Sequence, residues 1–217
     1  MKVALTGTRA EPLAERLRAE GFEVVHCPLV RVEPFAGPPV RVADYDWVVL
    51  TSRNAVECLF ARLEGDLPRT AVIGPGTADA LRARGVQPDL VPREPTQEGL
   101  VAEFPRPPGR VLFAGAEGAR GLLAERLAAD TLPLYRTVEL RPREFPAADV
   151  VVVASPSAAR ALAALRREAH CVAIGPITAE EARRVGLTVA AEADSPTPEE
   201  IAGAVKLAAS RSVSSRS

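Results

Sequence analysis

The chain of 217 residues has only three cysteines, Cys27, Cys58 and Cys171, and it contains no C-x-x-C pair. Cysteines this few and this scattered exclude a disulfide framework and favour buried apolar thiols. The dipeptides His26-Cys27 and His170-Cys171 combine two metal-binding residue types. Both fall on predicted strands, however, where neighbouring side chains point to opposite faces. We therefore predict no metal site.

Long apolar runs and an excess of charge are also lacking. No run approaches the roughly 18 apolar residues that a membrane helix requires. The formal net charge of −1 provides no broad basic surface for nucleic acid. The segment Met1–Gly7 begins a strand at once, without the basic leader and apolar core of a signal peptide. We expect a cytoplasmic protein with no nucleic-acid or membrane partner.

Several common catalytic motifs are missing. No G-x-G-x-x-G follows a strand, and Walker A, G-x-S-x-G and H-E-x-x-H sequences are absent. Neither histidine has the character of a general base in a strand-end loop. These absences argue against dinucleotide-binding, NTP-binding and hydrolase functions.

What the chain does contain is an internal repeat. The segment Ile73–Ala78, I-G-P-G-T-A, recurs 101 residues later as Ile174–Ala179, I-G-P-I-T-A. The five residues Leu13–Leu17 are identical to Leu123–Leu127. These matches indicate a tandem duplication that extends over the whole chain.

Strands rich in Val, Ile and Leu, such as Val150–Val153, alternate with helical segments throughout the chain. Because these strands have no polar alternation, they predict parallel sheets that are covered on both faces. Right-handed crossovers then give doubly wound, flavodoxin-like α/β domains, of which two are expected. We expect the serine-rich tail, residues 210–217, to be disordered.

Small and hydroxylated residues occupy nearly every predicted turn from a strand into a helix. In doubly wound sheets these turns lie at the carboxyl ends of the strands, where ligands bind. Their free N–H groups and the positive ends of the helix macrodipoles bind carboxylate or phosphate without adding net charge. Several such turns in each domain indicate a ligand with many anionic groups. The turns are Thr6–Arg9, Thr51–Asn54, Gly74–Thr77, Gly115–Gly118, Ser155–Ser157 and Gly175–Thr178.

Helix capping alone would also explain each of these residues, since Ser, Thr and Gly are preferred before a helix. Thr197–Glu200 is a complete capping box with proline at the first helical position, so its hydroxyl already has a use. Glu117 argues against the turn Gly115–Gly118 as a carboxylate site. The number of turns, rather than any single one, supports an anionic ligand.

These segments resemble the uroporphyrinogen-III synthase family over nearly the full length of the chain. The most specific stretch is Ala173–Val205, which contains A-I-G-P-I-T-A and S-P-T-P-E-E-I. The other matching segments are Val49–Ala55, Val72–Leu81, Val111–Leu127, Pro133–Thr137 and Val151–Leu162.

The resemblance implies two α/β domains joined by a two-stranded β-ladder. By the family pattern, residues 1–33 and 139–209 form one domain and residues 34–138 form the other. The ladder would consist of the similar segments Pro28–Arg31 and Pro133–Arg136. The chain would therefore cross between the domains twice.

The resemblance also implies an enzyme that closes hydroxymethylbilane, a linear tetrapyrrole, into uroporphyrinogen III while inverting the last ring. The family needs neither cofactor nor metal, because the electron-rich pyrrole expels the terminal hydroxyl with the help of at most one proton donor. Eight substrate carboxylates suit the array of helix N-termini, and holding the substrate in one pose supplies catalysis by orientation. We expect a monomer that transiently contacts the enzyme producing hydroxymethylbilane.

Tyr135 is the expected catalytic residue, because it matches the tyrosine of the family's P-x-Y-x-T motif and could protonate the departing hydroxyl. The alternative role is that of an aromatic side chain packed on a neighbouring strand. The family positions and the strand-end turns together identify the residues expected to bind substrate carboxylates. They are Thr6, Arg9, Ser52, Arg53, Gly74, Thr77, Arg120, Ser155, Ser157, Gly175, Thr178 and Thr197.

Two other functions suit the same residues. A non-catalytic two-domain module could sense a polyanionic metabolite through the same helix N-termini. A sugar-phosphate or nucleotide enzyme on a flavodoxin-like scaffold would instead need one phosphate-sized site and a dedicated general base. No such base is evident in the sequence.

Overall fold

The computed structural model describes residues 1–165 and 170–214, with side chains as far as residue 210. The chain divides into two compact units. The first unit comprises Met1–Arg31 and Val138–Ser217, and the second comprises Val32–Thr137. In chain order the elements are β1 (Lys2–Leu5), α1 (Leu13–Ala19), β2 (Glu23–His26), β3 (Val30–Pro34), β4 (Val40–Arg41), β5 (Trp47–Leu50), α2 (Arg53–Phe60), β6 (Leu63–Glu64), β7 (Arg69–Val72), α3 (Pro75–Arg82), α4 (Gln97–Glu103), β8 (Val111–Ala116), α5 (Leu122–Leu127), β9 (Asp130–Glu139), β10 (Val150–Val153), α6 (Pro156–Ala164), β11 (His170–Ala173), α7 (Pro176–Arg184), β12 (Val189–Glu192) and α8 (Pro198–Ser214).

The first unit is built around a five-stranded sheet in the order β12-β11-β10-β1-β2, and its neighbouring strands run parallel. Successive residues of each strand enter two different cores. Val3 and Leu5 pack with buried residues of α1 and α8, whereas Ala4 and Val151 pack with α6 and α7. Helices therefore cover both faces of the sheet, which is why its strands are apolar without alternation.

The second unit has a five-stranded sheet in the order β3-β9-β8-β5-β7, in which β9, β8, β5 and β7 pair in parallel. Val48 and Leu50 face the core formed with α2 and α3, whereas Trp47 and Val49 face the core formed with α4 and α5. The short strands β4 and β6 form a separate parallel pair. The prediction of an α/β fold with parallel sheets is thus confirmed.

The helix α8 corrects the prediction of a disordered tail, because it continues through Ser210 to Ser214. Ala208 and Ala209 are buried, and the Ser210 hydroxyl donates to the Leu207 carbonyl at 2.9 Å. Burial of its apolar face in the first unit stabilises α8, although the end of the chain is rich in serine. The rest of the predicted tail, residues 215–217, lies outside the described residues. Within the described ranges, neither α8 nor any other helix is both long and apolar enough to cross a membrane.

Cys171 on β11 provides a test of how tightly the first unit is packed. Its side chain is fully buried, and burial raises the pKa of the thiol from 9.0 to about 12. Because the folded state holds this proton more tightly than the unfolded chain, the contribution to stability is complete below pH 9 and is lost as the pH rises towards 12. Between about pH 8 and pH 11 this group should lower the free energy of unfolding by about 3 kcal/mol, as measured by urea unfolding.

Cys171→Ala should remove this part of the pH dependence, although the cavity left by the sulfur lowers stability at every pH. Val172→Ala is the matched control, because Val172 is equally buried but does not titrate. The control variant should lose packing energy and keep the wild-type pH dependence. An equal loss of stability with pH in wild type and Cys171→Ala would show that the thiol is not the group responsible.

Candidate active site

The helices of the two units begin in different ways. At α2, α4 and α6 a serine or threonine oxygen accepts a backbone N–H of the first turn, as helix capping requires. The bonds are Ala55 N to Ser52 Oγ at 3.0 Å, Gly99 N to Thr96 Oγ1 at 2.9 Å and Ala158 N to Ser155 Oγ at 3.1 Å. One lone pair of each oxygen therefore serves its own helix.

Among the helices without a side-chain cap at the N-cap residue, which also include α1 and α5, are α3 and α7. Their N-cap residues are Gly74 and Gly175, each followed by proline, so no N-cap side chain reaches the free N–H groups of the first turn. Thr77 and Thr178 lie in these first turns and are only 7% and 4% exposed. Neither hydroxyl forms a hydrogen bond within the described residues, and neither is among the buried atoms left without a partner, so both oxygens still reach solvent. Because Cα–Cβ bonds tilt towards the helix N-terminus, each hydroxyl is directed to the uncapped end.

Arg53 extends from the first position of α2 to the start of α3. A Cβ on Gly76 would lie 2.9 Å from both Nε and Nη2 of Arg53, so the guanidinium lies directly against the glycine backbone. Only a residue without a side chain permits this approach. No carboxylate pairs with Arg53 within the described part of the chain. The guanidinium of Arg53 and the positive end of the α3 macrodipole would both attract an anion. This arrangement therefore suits a carboxylate ligand.

Arg120, predicted to bind substrate, pairs with Glu98 in the structure. Its Nη1 and Nη2 donate to Oε1 and Oε2 of Glu98 at 2.9 and 3.1 Å, and this pairing lowers the pKa of the Glu98 carboxyl. Arg120 also lines an open cavity of about 200 Å³, together with Glu117 and Thr131–Pro133. A substrate carboxylate at this place would compete with Glu98 and would meet the negative charge of Glu117.

Thr6, predicted to bind substrate, is enclosed by the sheet of the first unit. Its side chain is fully buried. Its Oγ1 donates to the Val152 carbonyl at 2.8 Å and accepts the N–H of Ala154 at 3.3 Å. These bonds satisfy backbone groups where β1 and β10 end, so a structural role accounts for the hydroxyl, and its binding role stays a prediction.

The other predicted residues of the first unit differ in their surroundings. Ser157 Oγ lies 3.0 Å from Ser155 Oγ, so the two hydroxyls at the start of α6 bond to each other. Thr197 Oγ1 accepts the N–H of Glu200 at 3.4 Å, a long capping bond at the start of α8. Arg9 is exposed in the loop between β1 and α1. The binding roles of these residues stay predictions.

Tyr135 on β9 is only 5% exposed, and its ring belongs to the core that includes residues of α2 and α3. Its hydroxyl lies 2.9 Å from Ser52 Oγ, and either atom can be the donor. Burial raises the pKa of the phenol, the hydrogen bond from Ser52 lowers it, and Cys58 raises it, with burial the largest effect. Tyr135 therefore keeps its proton at neutral pH. A packing role and a proton-donating role are compatible in this one side chain.

Sequence reasoning missed the contacts of Gly76 and Glu98. The signal for Gly76 was present, because I-G-P-G-T-A has glycine where its repeat I-G-P-I-T-A has isoleucine. A glycine that no turn requires suggests the close approach of another group. No comparable signal existed for Glu98, since its partner is 22 residues away and carries no distinctive pattern.

Comparison with known proteins identifies the family. A family model described as uroporphyrinogen-III synthase HemD matches residues 11–203. The uroporphyrinogen-III synthase of Synechococcus elongatus is 35% identical over 139 residues, which cover 55% of this chain and 51% of the relative. The chain thus spans about half the length of that relative. A putative uroporphyrinogen-III synthase of Methanocaldococcus jannaschii is 28% identical over 216 residues, covering 86% of this chain and 90% of the relative.

Two solved structures have a similar fold. A mutant uroporphyrinogen III synthase from the extremely thermophilic bacterium Thermus thermophilus superposes with a TM-score of 0.62 at 19% identity, covering 97% of this chain and 99% of that chain. The uroporphyrinogen-III synthetase of Helicobacter pylori gives a TM-score of 0.69 at 15% identity, with the same coverage of 97% and 99%. The family match over residues 11–203 shows that this chain belongs to the uroporphyrinogen-III synthase family.

Proposed function

We propose that the chain is a uroporphyrinogen-III synthase of tetrapyrrole biosynthesis. It converts hydroxymethylbilane into uroporphyrinogen III, inverts the last ring and uses neither cofactor nor metal. The observation that carries this proposal is the family match, which extends over residues 11–203 and includes most of the predicted binding residues. The monomeric state, the cytoplasmic location and the transient contact with the enzyme that makes hydroxymethylbilane stay predictions.

Tyr135 is the proposed proton donor. The pyrrole nitrogen supplies the electron pair that breaks the carbon–oxygen bond, and the phenolic proton converts the departing hydroxyl into water. Loss of a proton during ring closure then restores the phenol. A buried phenol that stays neutral at neutral pH supports this role, because the proton must be present before the hydroxyl leaves.

The uncapped helices α3 and α7 are the proposed anchors for substrate carboxylates, one in each unit. At α3 the anchor combines the first backbone N–H groups, the hydroxyl of Thr77 and the guanidinium of Arg53. At α7 it combines the N–H groups with the hydroxyl of Thr178. Fixing several carboxylates restricts the flexible substrate to the pose in which the last ring attacks through its substituted carbon and forms a spiro intermediate. Orientation of this kind is worth up to about 7 to 11 kcal/mol of the barrier.

We also propose that the two units are the two domains of the family and arose by duplication with exchange of strands. If β1, β2, β5 and β7 correspond to β8, β9, β10 and β11, the two sheets have the same order of equivalent strands. Each unit then contains two strands from each copy. The boundaries between the units, at Arg31–Val32 and Thr137–Val138, lie within β3 and β9, which are neighbours in the sheet. This supports the proposed ladder, because its segments Pro28–Arg31 and Pro133–Arg136 overlap β3 and β9.

The reaction itself tests the proposed function. The purified full chain is supplied with hydroxymethylbilane, and the cyclised isomers are separated. We expect the type III isomer, whereas spontaneous closure gives type I. If only type I forms, at the rate seen without protein, the chain is not a synthase, and a sensor that binds without turnover becomes the favoured function.

Tyr135→Phe should leave the fold intact and lower kcat for type III formation by about 10²-fold, the usual effect of losing a general acid. The free energy of unfolding should fall by only about 1 kcal/mol, because one hydrogen bond is lost. Initial rates and urea unfolding measure the two effects.

Tyr45→Phe is the matched control, because its hydroxyl also bonds to a side chain, Asp130 Oδ2 at 3.0 Å. This variant should keep the wild-type rate. A wild-type rate and isomer ratio in Tyr135→Phe would exclude the proton-donating role.

Gly76→Ala should separate stability from binding. The new methyl group would displace the guanidinium of Arg53, since its Cβ would lie 2.9 Å from Nε and Nη2. Losing one charge-assisted bond to a carboxylate should raise KM about tenfold. Stability should stay the same or rise by up to about 1 kcal/mol, because alanine favours the helix.

Gly203→Ala is the control for the gain in helix propensity. Gly203 lies on α8, and a Cβ there would meet no atom within 4 Å. This variant should gain comparable stability without a change in KM. An unchanged KM in Gly76→Ala would mean that the position of Arg53 does not matter for binding.

A further inference from the structure

Ser52 has two hydrogen-bond partners that belong to different parts of the second unit. Its Oγ accepts the N–H of Ala55 at 3.0 Å as the cap of α2, and it lies 2.9 Å from the hydroxyl of Tyr135 on β9. The sequence pattern predicted a substrate-binding role for Ser52, but these contacts place its side chain against the proposed proton donor. Ser52 therefore connects the catalytic phenol to the N-terminus of a helix.

The single hydroxyl hydrogen of Ser52 limits the direction of its hydrogen bond with Tyr135. A serine hydroxyl has one hydrogen and two lone pairs, and the N–H of Ala55 occupies one lone pair. Once Tyr135 has given its proton away, the phenolate oxygen can only accept a hydrogen bond. Ser52 must then be the donor, and its hydroxyl hydrogen points at the negative charge that develops on Tyr135. With Ser52 as donor, the proton of Tyr135 is also left free for the substrate.

The first unit does not reproduce this arrangement. Ser155 caps α6 in the same way as Ser52 caps α2, but its hydroxyl bonds to Ser157 at 3.0 Å. In the repeated sequence the position of Tyr135 is occupied by Val30, which is buried and apolar. The connection between a cap and a phenol is thus a property of the second unit and is not required by the fold.

We infer that Ser52 is the positioning residue of Tyr135, donating its hydroxyl hydrogen to the phenolic oxygen so that the phenol can release its own proton. This inference rests on the proposed function and deepens it. The N-terminus of α2 contributes to the same effect, because the bond from the Ala55 N–H polarises the Ser52 hydroxyl towards the phenol.

Other titratable groups surround Tyr135 and define the background for a test. Cys58 raises the pKa of the phenol, in opposition to the hydrogen bond from Ser52. The backbone of Glu117 contacts that of Tyr135, because the Glu117 N–H donates to the Tyr135 carbonyl at 2.7 Å. The titratable and charged groups on the same and adjacent elements are Arg53, Glu57 and Cys58 of α2, Asp79 and Arg82 of α3, Glu117 after β8, Asp130, Arg136 and Glu139 of β9, and Arg31 and Glu33 of β3. None of them changes in the variants below.

The direction of the hydrogen bond can be measured without any activity. The chain has two tyrosines, so Tyr45→Phe leaves Tyr135 as the sole source of the tyrosine Fermi doublet in the Raman spectrum. The intensity ratio of this doublet distinguishes a phenol that accepts a hydrogen bond from one that donates. At neutral pH we expect the ratio of an acceptor, and adding Ser52→Ala should lower it. A donor ratio that rises on adding Ser52→Ala would overturn the inference.

Kinetics test the positioning role in the otherwise wild-type chain. Ser52→Ala should lower kcat about tenfold with little change in KM, the effect expected when one hydrogen bond is lost from the transition state. Ser52→Thr keeps the hydroxyl and should restore most of kcat. An unchanged kcat, or a rise in KM alone, would overturn the inference.

Thr96→Ala controls for the loss of a helix cap. Thr96 caps α4 in the same unit with a bond of 2.9 Å, and α4 does not carry the proposed catalytic residues. Both capping variants should lose similar stability, but Thr96→Ala should alter neither kcat nor the Raman ratio. If the unmodified chain forms no type III isomer, the proposed function fails, while the Raman ratio still decides whether Ser52 donates to Tyr135.

Discussion

Each helix that follows a strand in these parallel sheets begins with backbone N–H groups that have no acceptor within the helix. How each helix satisfies those groups is the constraint on which the site depends. Where Ser52, Thr96 or Ser155 precedes the helix, a side-chain oxygen takes one N–H. Where Gly74 or Gly175 precedes it, no side-chain cap exists, and we propose that the helix start binds an anion. A chain with a net charge of only −1 can in this way offer sites to a polyanion.

In the second unit, the serine that caps α2 also contacts the proposed proton donor. The Ser52 hydroxyl accepts a backbone N–H of the first turn of α2 and also bonds to Tyr135. One hydroxyl therefore connects helix capping to the proposed chemistry. In the first unit Ser155 accepts a backbone N–H of α6, and its hydroxyl bonds to Ser157. In the repeated sequence, Val30 occupies the position equivalent to Tyr135. Only the second unit combines a capping serine with a phenol, whereas each unit has an uncapped helix that begins at Gly-Pro. The uncapped helices differ too, because Gly76 admits the guanidinium of Arg53 whereas Ile177 is an exposed apolar side chain.

Much of the fold could be predicted from the chain alone, because strand pattern and helix starts are local properties. Runs such as Val150–Val153 are apolar at every position since both faces of the sheet are buried. The surroundings of single site residues could not be predicted in the same way. A threonine after a strand looks the same whether it faces a ligand or, like Thr6, bonds to a neighbouring strand 146 residues away. An arginine at a strand end looks equally available whether it lies against glycine, like Arg53, or pairs with Glu98, like Arg120.

The sequence by itself therefore determined the α/β class, the family, the repeat and the identity of Tyr135 as the residue to consider for catalysis. Only the tertiary structure decided which hydroxyls are occupied, which arginine lacks a carboxylate within the described residues, and that Ser52 meets Tyr135 across 83 residues of chain. The physical reason is that propensity, capping and periodicity act over a few neighbouring residues. A hydrogen bond between two side chains, in contrast, depends on the register of strands and helices that the whole core holds in place.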